Sequence, residues 1–72
     1  MLIHFNKDNR QAYISISETY RGNFEIYLYM KSKSIDLFLF EDHFSLKNIK
    51  EIKDYILRED PNVNIDNLLK ET

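Results

Sequence analysis

The apolar positions of this chain recur first every second residue and later every third or fourth. Residues 2–6 form a short strand-like run. Residues 12–19 alternate Ala12, Ile14 and Ile16 with Tyr13, Ser15 and Ser17. Two further runs are apolar on both faces. In residues 24–30 one row is Phe24, Ile26, Leu28 and Met30, and the other is Glu25, Tyr27 and Tyr29. In residues 35–40, Ile35, Leu37 and Leu39 oppose Asp36, Phe38 and Phe40. Strand side chains alternate between faces, so a two-layer domain buries one row of each strand. The second row is left for something else to cover.

Turn residues separate these runs at Lys7-Asp8-Asn9-Arg10, Arg21-Gly22-Asn23 and Lys31-Ser32-Lys33-Ser34. Gly22 is the single glycine, and Gly-Asn there predicts a two-residue II′ hairpin. Short connections imply antiparallel neighbours, which predicts a 1-2-3-4 meander within residues 1–42. From Ser45 the period lengthens, with Leu46, Ile49, Ile52 and Ile56 in a helical stripe and Tyr55 and Leu57 at its edges. This predicts a helix over residues 45–59, capped by Ser45, stapled by Phe44 on Ile49 and ended by Asp60-Pro61. A short second helix is predicted over residues 64–70, with Val63 and Leu68 as its staple. The fold class is therefore α+β: a four-stranded antiparallel meander with a C-terminal helix on one face and a short second helix, in a single domain of residues 1–72.

The helix is expected to cover the charge-free row, which includes Ile14, Ile26, Leu28, Ile35, Leu37 and Leu39. That places Tyr13, Tyr27, Tyr29, Phe38 and Phe40 on the far face, rimmed by Glu25, Asp36 and Lys31. His4 or Phe5 joins them, depending on the register of the first strand. Tyrosine and phenylalanine are enriched in interface cores, so these are the candidate partner-binding residues. Three roles fit such a face. It binds a protein target or a second copy, it stacks single-stranded bases, or the C-terminal segment covers it.

Composition narrows the choice. Ten Lys+Arg against twelve Asp+Glu give a formal charge of −2, without the basic stripe that duplex nucleic acid demands. The same balance weighs against base stacking, and it is too weakly acidic for a phosphate mimic. Cysteine is absent, which removes disulfides and thiolate zinc ligands. No basic segment leads into an apolar run, and no run approaches the ~20 residues of a membrane span. The expectation is a soluble cytoplasmic protein with no membrane partner.

Candidate chemistry is sparse. Glu41-Asp42-His43-Phe44-Ser45 holds a carboxylate, an imidazole and a hydroxyl, but triads assemble from distant positions. The segment is read as a strand-to-helix loop ending in a cap. Two histidines with scattered carboxylates show no metal spacing, and one glycine cannot build a phosphate loop. Lys47, Lys50 and Lys53 interleave with Glu51 and Asp54, as on a solvated mixed-charge face. No catalytic residue, cofactor or metal is expected.

The expected function is non-catalytic protein–protein interaction, as an inhibitor or regulator of a larger protein complex. In size, composition and lack of catalytic motif the chain resembles the compact proteins with which phages and mobile elements block host enzymes or defence complexes, anti-CRISPR proteins among them. That resemblance is one of general build and names no family. The alternatives are a homodimeric structural or regulatory subunit and a single-stranded nucleic-acid binder using the sheet aromatics.

Overall fold

The computed structural model describes residues 1–64. Strands β1 (Leu2–Lys7), β2 (Arg10–Glu18), β3 (Phe24–Lys31) and β4 (Phe38–Leu46) form one sheet, followed by helix α1 (Ile49–Glu59). The strand order is β1-β2-β3-β4 with every neighbour antiparallel, as the alternation and short connections predict. The second helix predicted over residues 64–70 lies, from Ile65 onward, outside the described residues.

Each hairpin has its own turn chemistry. Asp8 and Asn9 connect β1 to β2 with φ of 53° and 61°, a conformation Asp and Asn tolerate better than other side chains. The next connection is not the expected II′ turn. The Gly22 N–H donates to the Thr19 carbonyl and the Thr19 N–H to the Asn23 carbonyl, which leaves Tyr20-Arg21-Gly22 as a three-residue loop. Gly22 takes φ of 86° there, the left-handed position of a type I turn followed by a bulge.

The third connection displaces the fourth strand. The predicted strand over residues 35–40 starts at Phe38 and runs on to Leu46. Residues 32–37 form the turn instead. Ser32 Oγ accepts from the N–H groups of Ser34 and Ile35, and the Ser32 N–H donates to the Leu37 carbonyl. Side-chain bonds of this kind compete with a strand ladder for the backbone. Ile35 and Leu37 are consequently exposed rather than buried, and Asp36 reaches back to Lys31 at 2.7 Å.

A bulge at Glu41 then changes the parity of β4. Tyr29 pairs with Phe40 but Leu28 pairs with Asp42, so Glu41 has no partner on β3. Phe38 and Phe40 share the far face before the bulge, and His43 and Ser45 share it afterwards. On the helix-covered side the row is Leu39, Asp42, Phe44 and Leu46. Leu39, expected in the core, is 48% exposed on the edge strand β4.

The helix starts later than its stripe suggests. Ser45 and Leu46 pair with Glu25 and Phe24 as strand residues, so Ser45 is not the cap and Phe44 is not a staple. Asn48 caps α1 instead: its side chain accepts from the Glu51 N–H at 2.9 Å, while the Glu51 carboxylate accepts from the Lys47 N–H at 2.8 Å. Ile52 and Ile56 are fully buried against Ile3, Phe5, Ile14, Ile26, Leu28 and Met30. Burial of this kind stabilises by ~1.5–3 kcal/mol per side chain. Tyr55 lies between Phe5 and Phe44, with ring centroids 6.2 and 5.0 Å away. Burial raises its phenol above the ordinary pKa. At the helix C-terminus Lys7 reaches Glu59 at 3.2 Å.

Candidate protein-interaction face

Helix α1 covers one face of the sheet, and among the described residues no element packs on the other. That second face is built by cross-strand neighbours. Ring stacking starts at β2 and β3, where Tyr13 opposes Tyr29 with centroids 4.8 Å apart and planes at 15°. Strand spacing is itself about 4.8 Å, so the two rings stand up from the sheet and lean flat on each other. Phe40 extends the row at 5.8 Å from Tyr29, and His4 does so at 5.3 Å from Tyr13. Phe38 meets Tyr13 edge-on at 5.1 Å and His4 at 6.3 Å. The register of β1 settles the open choice there: His4 joins the aromatic face and Phe5 joins the core.

Tyr27 belongs to a second, more polar group. His43 stacks on it at 4.6 Å and 18°, and His43 Nε2 lies 2.9 Å from Glu25 Oε1. The Ser45 hydroxyl donates to the other oxygen of Glu25. These contacts, that from Ser45 foremost and then that with His43, hold the Glu25 carboxyl below the ordinary glutamate range. The serine is bonded to the carboxylate and not to the imidazole, so the three groups do not form a nucleophile–base pair. No grouping of three or more His, Cys, Asp or Glu side chains suited to a metal occurs among the described residues.

Of the residues singled out from sequence, Tyr13, Tyr27, Tyr29, Phe38, Phe40, Glu25 and Lys31 come together on this face. Asp36 does not; it lies in the β3–β4 connection, where the Lys31 ammonium holds its carboxyl below the ordinary aspartate range. His43 and Ser45 are members that pattern reading missed. Their own alternation with Phe44 and Leu46 is strand-like and was the available signal. Both ionic groups on the face have contacts within the chain, Lys31 with Asp36 and Glu25 with His43 and Ser45. They stand at opposite ends of β3, and the area between them is largely aromatic, with Phe40 57% exposed at the edge.

Compared with known protein families, curated proteins and solved structures, the chain matches none. No helix among the described residues is long and apolar enough to cross a membrane.

Proposed function

We propose that this chain is a small non-catalytic interaction module, an inhibitor or regulator of a larger protein complex, whose binding surface is the aromatic sheet face. One observation carries the reading. Tyr13, Tyr29, Phe38 and Phe40 form a continuous aromatic patch over a face that no described element covers. A scattered exposed aromatic needs no explanation, but a contiguous patch marks an interaction site. Its two charged groups, Lys31 and Glu25, lie at opposite ends of the face, so shape and apolar contact fill the area between them. The general build is that of the compact inhibitors made by phages and mobile elements, which supports the choice of a regulatory role.

The test is affinity capture from a lysate of the source cell, read by mass spectrometry, with wild type beside the double variant Tyr29→Ala/Phe38→Ala. The expected result is a partner held by wild type and lost by the variant while its circular dichroism is unchanged. An identical protein set on both would sink the proposal.

A further inference from the structure

The uncovered face is divided across its length into unlike halves. The end that carries Lys31 is bulky, with Tyr13, Tyr29, Phe38 and Phe40. The end that carries Glu25 is small and polar, with Ser15, Ser17 and Ser45 around Tyr27 and His43. The register sets how the halves relate. The cross-strand row Tyr13–Tyr29–Phe40 lies one step along the face from the row Ser15–Tyr27–His43. Along β3 itself the order is Glu25, Tyr27, Tyr29, Lys31.

Consider a two-fold axis lying in the plane of this face, crossing the strands between those two rows. It lays each half on the opposite half of a second copy. Tyr13 then meets Ser15, Phe38 meets Ser45, Tyr29 meets Tyr27, Phe40 meets His43, and Lys31 meets Glu25. Bulk lies over small side chains at Tyr13 and Phe38, ring lies over ring at Tyr29 and Phe40, base lies over acid, and symmetry repeats each contact. An axis along the strands does the reverse: it stacks bulky on bulky and brings like charges to the same end.

We propose that, when no target is bound, the aromatic face is occupied by a second copy of this chain in an antiparallel homodimer. The proposal rests on the reading of the face as a protein-binding surface and names its occupant. The two sheets pack about 10 Å apart with strands within ~30° of antiparallel, and the helices lie outside. Four strands of about eight residues present a face of about 19 by 26 Å, near 500 Å² in projection. Two such faces bury on the order of 1,000 Å² together, the low end for a specific interface, which suits a dimer that a target displaces.

Light scattering on size-exclusion fractions at micromolar concentration is expected to give a dimeric mass for wild type. Glu25→Lys places Lys on Lys at both ionic contacts, and Lys31→Glu places Glu on Glu. Each variant is expected to dimerise on the order of a hundredfold more weakly. An equimolar mixture of the two is expected to recover the dimer, because every contact then pairs Lys with Glu. Should Glu25→Lys fail to fold, Lys31→Glu against Lys31→Arg carries the same reading, monomeric and dimeric respectively. A monomeric wild type, single variants as dimeric as wild type, or a mixture that stays monomeric overturns the proposal. A monomeric wild type whose partner capture still depends on Tyr29 and Phe38 removes the dimer and leaves the binding face standing.

Discussion

The Asn6 backbone N–H donates to Asp60 Oδ2 at 3.0 Å, so the residue that ends α1 also closes part of the open edge of β1. An edge strand presents unpaired backbone groups, and covering them protects against pairing with other chains. Asp60 also holds the chain around the helix end. Its N–H donates to the Ile56 carbonyl at 2.8 Å, and its Oδ1 accepts from the Asn62 N–H at 3.2 Å. Asp60→Ala is expected to cost about 1 kcal/mol through the lost carboxylate bonds, lowering Tm by ~4–8 °C. Asp60→Asn keeps an acceptor oxygen and should lose less. Thermal melts of the three proteins check the order, and coincident melts would show that the contact contributes nothing.

Two aliphatic residues expected in the same core now separate. Ile56 is fully buried beneath the sheet, whereas Leu39 on β4 is 48% exposed. Ile56→Ala removes packed methyl groups and leaves a cavity, which costs ~2–5 kcal/mol. Leu39→Ala should stay within about 0.5 kcal/mol of wild type. Urea titration at neutral pH distinguishes them. A large loss at Leu39 would restore it to the core and contradict the placement of β4.

The contrast shows which parts of this fold are legible in sequence. Ile14, Ile26 and Leu28 alternate strictly with residues of the far face, and no bulge interrupts β1, β2 or their pairing with β3. A period-two reading therefore places those strands and most of the aromatic face. Beyond Phe40 that reading fails, because the unpaired Glu41 moves the far-face positions from even to odd numbers. Leu46, three residues before the first residue of α1, consequently reads as part of the helical stripe, and His43 and Ser45 disappear into an apparent loop. Ser45 is also a good cap by type. Its hydroxyl is engaged by Glu25, twenty residues earlier in the chain, and local pattern cannot register so distant a partner.

Gly22 is a position where backbone conformation, not space, sets the residue. Its φ of 86° lies in the left-handed region, and an added Cβ would meet nothing within 4 Å. Gly22→Ala is therefore expected to cost ~1–2 kcal/mol through backbone strain alone. Gly22→Asn should cost less, because asparagine enters that region more readily. Denaturant midpoints for both variants give the comparison. Equal losses for Ala and Asn would point to a cause other than the left-handed conformation.

The Glu25 cluster makes stability depend on pH in a defined direction. Ser45 first, and then His43, bond to the ionised carboxylate and hold its pKa below the ordinary value. The folded chain therefore binds this proton less readily than the unfolded chain, whose glutamate titrates near about 4.3. The stabilisation is present in full above that value and is lost as pH falls through the lower folded value. Asp36, held down by Lys31, acts in the same sense. Glu25→Gln removes the titrating group, so its unfolding free energy should fall less steeply below about pH 4.3 than that of wild type. Adding Asp36→Asn should flatten the curve further. Urea unfolding across the acid range measures both slopes. Parallel curves for wild type and Glu25→Gln would mean that the Ser45 and His43 contacts do not hold the carboxylate in solution.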